Sequence, residues 1–557
     1  MKDNRSFPAA PVMFPGDEPF WEAMRAGELL GKHCPACDAL HYYPRMHCPL
    51  CGHRETSWRR LSGRGTIYSY SIVERSPRPT APALVQLEEG LLIHSVIVDA
   101  DVRALKIGDP VVLRAQPTQD GPPVPAFTTP DAEAARAYTQ AARAALANTT
   151  ARSERVFGCG AVIGAGNMGV GIAMTLLGSG LTVRLIDNAE ASLAKAVQRI
   201  GEAYGRDVAR GRLTADERDA RLARLTTGTD IAGVAEADVV IEAVWEDLAL
   251  KQQLFAEIDR FAPPEALLAT NTSTLDVNLI AAATRRPASV VGLHFFNPAN
   301  VMRLIELVRT SSTSAQTLAA ARDFAAAIGK TAIVVGVCDG FVGNRLMIAR
   351  ERQAGRLLLE GAQPEQVDRV LRNLGLPMGT FELQDMAGGI ALMYRSRQRM
   401  GQRDWLIEQL HERGRLGQRV GRGFYRYEPG KRRPLVDPEV TALIEEASRV
   451  EGIERRELSD EEVHDRLVLP MINEGAKLLE EGIVERASDI DLIWQLGYGW
   501  PDWKGGPMHY ADAIGLPAVV SKLIGLHARH GEVFRPAALL LQLAGASVQI
   551  SNLRIPI

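Results

Sequence analysis

The chain has 557 residues, of which 46% are hydrophobic and 24% charged, and a formal net charge of −3. That length predicts about three to five domains, and the composition is that of an ordinary globular protein. The small net charge gives no reason to expect nucleic acid or an anionic membrane as the main partner, and no apolar run reaches the roughly 20 residues of a membrane span.

The N-terminus, Met1-Lys2-Asp3-Asn4-Arg5, leads into a polar, Pro-rich stretch that does not read as a secretory signal. The C-terminal Leu553-Arg554-Ile555-Pro556-Ile557 carries no peroxisomal address, so the expectation is a cytoplasmic protein. Residues 1–125 read as a small module. Phe20 to Leu30 has helical apolar spacing, with Phe20, Trp21, Met24, Leu29 and Leu30 on one face. Four of the six cysteines follow, as Cys34-Pro35-Ala36-Cys37 and Cys48-Pro49-Leu50-Cys51. Paired knuckles of this kind bring four thiolates around one ion and leave no open position, which predicts a structural zinc held by Cys34, Cys37, Cys48 and Cys51. A redox pair is the weaker alternative, and His33, His41, His47 and His53 read as surface residues rather than ligands. Runs rich in β-branched and aromatic residues, Gly65 to Val73 and Leu91 to Val98, predict short strands closing a small OB-like barrel. Arg59, Arg60 and Arg64 beside Tyr68 and Tyr70 also suit a nucleic-acid binder, but a solvated face is the simpler account.

Gly121-Pro122-Pro123-Val124-Pro125 marks a break. The Ala-rich stretch Asp131 to Asn148 predicts a helix, read as a solvated spacer within a linker over 126–154. Alternating strands and helices then predict a doubly wound parallel sheet over 155–336. Phe157 to Ile163 is the first strand, Asn167 to Ser179 a helix and Thr182 to Asp187 the second strand. Asp238 to Glu242 and Ser289 to Leu293 are later strands. Between the first strand and helix lies Gly164-Ala165-Gly166-Asn167-Met168-Gly169. In that setting Gly164 permits a tight turn, Gly166 lets backbone approach a pyrophosphate and Gly169 permits close helix–strand packing. Asp187, 18 residues after Gly169, would accept the ribose hydroxyls and repel a 2′-phosphate, favouring NAD over NADP. Taken alone, the glycine motif also suits FAD.

After about residue 336 strand signals fade. Phe341 to Leu346 and Arg466 to Asn473 begin alike, which predicts a duplicated all-α domain, repeat one over 337–430 and repeat two over 431–557. Two features point to chemistry. His294 stands in Leu293-His294-Phe295-Phe296-Asn297-Pro298, and Glu306 stands twelve residues on, in the apolar run Leu304-Ile305-Glu306-Leu307-Val308. A carboxylate in such a run must be paired or functional, because burying it alone is costly. Asn271-Thr272-Ser273 follows an apolar strand, where open α/β sheets place their ligands.

The N-terminal part resembles the zinc-ribbon/OB-fold family long catalogued as a domain of unknown function. It does so through Phe20-Trp21-Glu22, the two knuckles, Tyr43-Pro44-Arg45, Leu61 to Tyr70 and Ile107 to Val111. That resemblance implies acyl-CoA binding or docking of a thiolase-like or hydratase-like enzyme. From about residue 156 to 525 the chain resembles the 3-hydroxyacyl-CoA dehydrogenases, especially the dehydrogenase part of multifunctional β-oxidation enzymes. The carrying residues are the glycine turn, Ile241 to Asp247 with Lys251, Asn271-Thr272-Ser273, His294 to Pro298, Val301 to Glu306, Gly340 to Arg345 and Gly421 to Tyr425. Gly497-Tyr498-Gly499-Trp500-Pro501 and Gly505 to Met508 belong to the same set. The resemblance implies NAD-dependent oxidation of a 3-hydroxyacyl-CoA, with His294 as general base and Glu306 holding its tautomer. Ser273 and Asn344 would bind substrate oxygens. Gly164, Gly166, Met168, Gly169, Asp187, Glu246, Lys251 and Asn297 would hold the cofactor, although motif logic alone also allows Lys251 to be a surface residue. Dimers are usual in that family, which makes a homodimer one expectation. Residues 1–150 leave no room for the hydratase domain that multifunctional members carry there. The alternative is a non-catalytic scaffold that binds CoA esters and recruits a thiolase-like enzyme.

Overall fold

The computed structural model describes residues 8–74, 79–148, 155–399, 401–431, 433–546 and 548–555. The ends read above at Met1–Arg5 and Pro556-Ile557, and residues 149–154 of the expected linker, lie outside these. The chain divides into two units, the first built on its N-terminal 140 residues.

In the first unit, α1 (Glu18–Arg25) buries Phe20, Trp21 and Met24. Gly27, at φ +78°, breaks the helix, because a positive φ cannot continue it. Leu29 and Leu30, expected on that helix, therefore lie on β1 (Leu29–His33), which pairs with β2 (Leu40–His41) and β3 (Ser57–Leu61). His41 is buried, not at the surface. A closed barrel follows in the order β4-β5-β6-β8-β7, from β4 (Arg64–Tyr70), β5 (Ala81–Leu87), β6 (Leu92–Ile97), β7 (Pro110–Gln116) and β8 (Val124–Thr128). Period-two alternation fills it: Ala81, Ala83, Val85 and Leu87 of β5 are all buried. The last strand runs past the break expected at residue 125. The helix α2 (Pro130–Asn148) is not a solvated spacer. It buries Ala132, Ala135, Arg136 and Thr139, and Arg136 pairs with Asp99, the counter-charge a buried guanidinium requires.

The second unit holds an eight-stranded sheet of β9 (Cys159–Ile163), β10 (Thr182–Ile186), β11 (Leu225–Gly228), β12 (Val239–Glu242), β13 (Leu267–Thr270), β14 (Val290–Phe295), β15 (Leu304–Arg309) and β16 (Thr331–Gly336). The order is β11-β10-β9-β12-β13-β14-β15-β16, parallel throughout except between β14 and β15. The helices α3 (Asn167–Gly178), α4 (Glu190–Ala209), α5 (Ala215–Ala223), α6 (Leu248–Phe261), α7 (Val277–Ala281) and α8 (Ala315–Ala327) accompany it. Both faces are buried, Val162, Ile241 and Leu293 on one and Ile163, Val240 and Leu268 on the other, as a doubly wound sheet requires. Strand order reverses at β9, which opens a ligand crevice beyond the carboxyl ends of β9 and β12. One glycine of the first-strand region has a packing reason. A Cβ at Gly160 would come 2.7 Å from Leu176 of α3, and the Gly158 N–H donates to Asp238.

The helical part comprises α9 (Gly343–Glu360), α10 (Pro364–Leu374), α11 (Thr380–Ala387), α12 (Gly389–Arg399), α13 (Trp405–Glu412) and α14 (Pro438–Val450). It continues with α15 (Asp460–Glu480), α16 (Ala487–Tyr498), α17 (Pro507–Ile514), α18 (Leu516–His530) and α19 (Ala538–Ala546). The expected likeness of Phe341–Leu346 and Arg466–Asn473 is not kept, since the first stretch opens α9 and the second lies inside α15. The repeat shows instead in two matching anchors. Asp368 of α10 accepts the Phe381 and Glu382 N–H groups, and Asp491 of α16 accepts those of Met508 and His509.

Candidate active site

The antiparallel step in the sheet builds the centre of the site. β14 and β15 pair so that His294 and Glu306 are direct Cα partners. Directly opposed residues share a face, with Cβ atoms about 5 Å apart, so the twelve-residue spacing becomes a side-chain contact. His294 Nδ1 lies 2.7 Å from Glu306 Oε2, with both residues buried. The other carboxylate oxygen, Oε1, accepts the N–H groups of Val342 at 3.2 Å and Gly343 at 2.9 Å. Glu306 thereby caps the start of α9, whose N-cap residue, Val342, makes no side-chain capping bond. This satisfies the buried carboxylate and fixes the imidazole with Nδ1–H toward Glu306, leaving Nε2 as the acceptor.

Asn344 stands in the first turn of α9, and its Oδ1 accepts the Tyr498 hydroxyl at 2.8 Å. Tyr498 ends α16, in repeat two. Its ring occupies the space a Cβ at Gly343 would need, 2.6 Å away, and meets Phe296 edge-on. Phe296 in turn packs at 4.9 Å from the His294 ring. Burial pushes the Tyr498 phenol well above its ordinary value, so it remains a donor. No role was assigned to Tyr498 from the sequence, although its Gly497-Tyr498-Gly499-Trp500-Pro501 motif was visible.

Ser273 follows β13, and both its N–H and its hydroxyl donate to Glu246 Oε1, at 2.8 and 3.1 Å. Burial works to raise the Glu246 carboxyl, but hydrogen bonds from Thr272 and Ser273 and the nearby Lys251 charge outweigh it and hold it below its ordinary value. Lys251 is not a surface residue. It is 1% exposed, with Nζ 2.6 Å from Glu242 and 3.6 Å from Glu246. Glu242, fully buried at the end of β12, needs that counter-charge, and Thr270 donates to its second oxygen. Asn297 is exposed on the loop after β14. Asn271 ties the strand ends together by accepting the Phe295 N–H at 2.9 Å.

Beside the switch point lies a cleft of about 860 Å³ lined by Gly164, Gly166, Met168, Asp187, Trp245 and Glu246, among others. Gly164 sits at φ +107°, and a Cβ there would lie 2.6 Å from the Ala243 carbonyl oxygen. A Cβ at Gly169 would collide with the Gly164 carbonyl, whereas one at Gly166 would meet nothing within 4 Å. Protein packing therefore explains Gly164 and Gly169, and the space kept at Gly166 suits a ligand. The α3 N-terminus carries no side-chain cap, so its N–H groups face the cleft as pyrophosphate donors. Asp187 is held by the N–H groups of Ala165 and Ala189. These features fit NAD.

In the first unit, the sulfurs of Cys34, Cys37, Cys48 and Cys51 all lie within 4.8 Å of one another, with Cys34–Cys51 and Cys37–Cys48 at 3.6 Å. Tetrahedral zinc with about 2.3 Å bonds to sulfur places its thiolates about 3.8 Å apart, so the cluster fits a closed structural zinc.

Comparison with known proteins agrees with this geometry. The 3-hydroxyacyl-CoA dehydrogenase NAD binding domain profile matches residues 160–338, and the profile of that family's C-terminal domain matches twice, at 340–427 and 463–548. The ChsH2 rubredoxin-like zinc ribbon profile matches 21–57, and the ChsH2 C-terminal OB-fold profile matches 58–116. A peroxisomal bifunctional enzyme of Danio rerio is 37% identical over 385 residues, covering 66% of this chain and 53% of that protein. The chain thus spans about half the length of the curated relatives it matches. Among solved structures, 3-hydroxybutyryl-CoA dehydrogenase from Escherichia coli K12 superposes with a TM-score of 0.60 at 28% identity, covering 70% of this chain and 99% of that one. The dehydrogenase part of multifunctional enzyme 1 from C. elegans gives 0.54 at 28% identity, covering 73% and 98%. With its glycine cradle, its buried His–Glu pair and a twice-matched helical domain, the chain belongs to the 3-hydroxyacyl-CoA dehydrogenase family.

Proposed function

We propose that the protein oxidises 3-hydroxyacyl-CoA to 3-oxoacyl-CoA with NAD. The observation that carries this reading is the buried His294–Glu306 pair in the same unit as a cleft suited to NAD. NAD, when bound, supplies the hydride acceptor. His294 Nε2 takes the proton of the 3-hydroxyl as the carbonyl forms. Glu306, beside Nδ1–H, stabilises the imidazolium as the proton arrives. Asn344 binds the substrate oxygen, held by Tyr498, and Ser273 binds a second oxygen once its hydroxyl turns from Glu246. Glu246 and Asp187 serve the cofactor side. Lys251 acts at one remove, by fixing Glu242 and Glu246.

The first unit has an accessory role, handling the CoA ester or docking a thiolase-like or hydratase-like enzyme. Its closed thiolate site and the exposed Met46 and Leu50 on the ribbon support a binding rather than a catalytic task. A scaffold without catalysis is disfavoured by the satisfied His294–Glu306 geometry, which binding alone does not require. The reading is tested with His294→Ala, assayed for NADH formation on a (3S)-hydroxyacyl-CoA. Turnover near that of the unaltered protein would sink it, and NADH production that depends on His294 supports it.

A further inference from the structure

A second cavity lies within the first helical repeat. Helices α9, α11, α12, α13 and α14 enclose about 330 Å³, with apolar walls at Phe381, Met393, Trp405 and Phe424. Its lining is also polar: Glu351 from α9 and Gln384 from α11 are joined by the arginines at 352, 356, 397 and 403 and by Asp404 and Glu451. Gln384 is 7% exposed, its side chain meets Glu351, and its carbonyl oxygen has no partner. Leaving such an oxygen unmet is costly unless a ligand supplies a donor. Burial pushes the Glu351 carboxyl up, against the Arg350 charge and the Gln384 hydrogen bond that lower it. Neither group has a part in the chemistry described above.

The position of the cavity relative to Asn344 follows from helix geometry. Glu351 and Gly355 lie seven and eleven residues after Asn344 on α9. At 3.6 residues per turn, both return to within about 20° of the Asn344 face, about 10 and 16 Å along the axis. The helix that presents Asn344 to the reacting oxygen therefore carries the cavity wall on the same face. A Cβ at Gly355 would meet nothing within 4 Å. Glycine in mid-helix is unfavourable, and here no protein contact requires it. The open space beside it extends the cavity.

We propose that this cavity receives the distal end of the acyl group, and that Gln384, held by Glu351, selects ends bearing a hydroxyl over plain alkyl ends. The proposal rests on the dehydrogenase reading. A hydroxyl there donates to the Gln384 carbonyl oxygen, which has no other partner. A plain methyl end leaves it unmet.

The test uses the full chain, NAD and three esters: 3-hydroxybutyryl-CoA, 3-hydroxydodecanoyl-CoA and 3,12-dihydroxydodecanoyl-CoA. The expected kcat/KM for the dihydroxy ester exceeds that for the plain twelve-carbon ester by about 3–10-fold, the worth of one hydrogen bond. Glu351→Leu should abolish or invert that ratio. Gly355→Leu, which fills the cavity, should lower the ratio of twelve-carbon to four-carbon rates, with a melting curve confirming that the variant is folded. Turnover of 3-hydroxybutyryl-CoA with no discrimination between the longer esters, and with ratios untouched by Glu351→Leu, would overturn the cavity assignment alone. Silence on all three esters would overturn the dehydrogenase reading and this assignment with it.

Discussion

The two helical repeats share an anchor and differ in how their first helices begin. In each, a buried aspartate takes two backbone N–H groups, Asp368 in repeat one and Asp491 in repeat two. In each, a glycine leaves no room for a side chain beside that aspartate: a Cβ at Gly379 or Gly506 would come within 2.2 Å of it. The first helices part company. α15 caps itself, with Ser459 accepting the Glu462 N–H. α9 opens at Val342 with no side-chain cap and takes one from Glu306 on β15. Repeat one has thus tied its helix start to the carboxylate that orients His294, and repeat two is self-sufficient and contributes Tyr498 as a brace. Duplication allows this division, since one copy can give up its own capping for a catalytic contact while the other keeps the fold.

The largest effect that sharpens this contrast is expected at Glu306. In Glu306→Gln the amide can still accept from Gly343, but it presents N–H to Nδ1 or forces the other imidazole tautomer. Turnover should fall about 10²–10⁴-fold, with the fold retained by circular dichroism. Replacing Ser459 by Ala, the corresponding cap in repeat two, should cost about 1 kcal/mol of stability and leave kcat unchanged. Equal kinetic losses in the two variants would erase the proposed division. Next in size is Tyr498→Phe, which keeps the ring against Phe296 and Gly343 and removes only the bond to Asn344. A drop in kcat of about 2–10-fold is expected, measured by steady-state kinetics alongside an unchanged melting temperature.

The anchors themselves should act on stability. Asp368→Asn and Asp491→Asn each leave one acceptor oxygen where two are used, costing about 1–3 kcal/mol in denaturant titrations. Asp368 adds a pH signature. Burial raises its carboxyl from 3.8 to about 7, against the N–H groups and Tyr425 hydroxyl that lower it. The folded state therefore holds this proton more tightly than the unfolded chain. Its stabilising contribution is full below about pH 4 and is lost as pH rises through 7. The stability gap between the unaltered protein and Asp368→Asn should narrow over that window, and a flat gap would show the carboxyl is not raised. The smallest effect on catalysis is expected from the first unit. Metal analysis should find about one zinc per chain, and chelation should unfold the ribbon while leaving kcat for a 3-hydroxyacyl-CoA unchanged.

Much of this was legible in the sequence because local rules fixed it. The cysteine knuckles, the glycine turn and Asp187 are short-range patterns, and they fall where spacing placed them. The antiparallel pairing of β14 with β15 was not legible, so the spacing of His294 and Glu306 could be noted but not explained. Leu29 and Leu30 were misplaced because apolar spacing continued through Gly27, whose positive φ ends the helix. Lys251 could be read as a surface residue because nothing local reveals that Glu242 is buried and needs a cation. Asp368 and Asp491 escaped notice because their shared partners are backbone N–H groups 13 to 18 residues away, and such bonds leave no side-chain pattern.

The central claim is that His294 takes the hydroxyl proton under the direction of Glu306. Its most direct test is a double-mutant cycle on kcat/KM for NADH formation from 3-hydroxybutyryl-CoA, with His294→Ala, Glu306→Gln and the two combined. The account predicts that the combined variant loses no more than His294→Ala alone, because Glu306 acts through His294. Losses that simply multiply in the combined variant would contradict it.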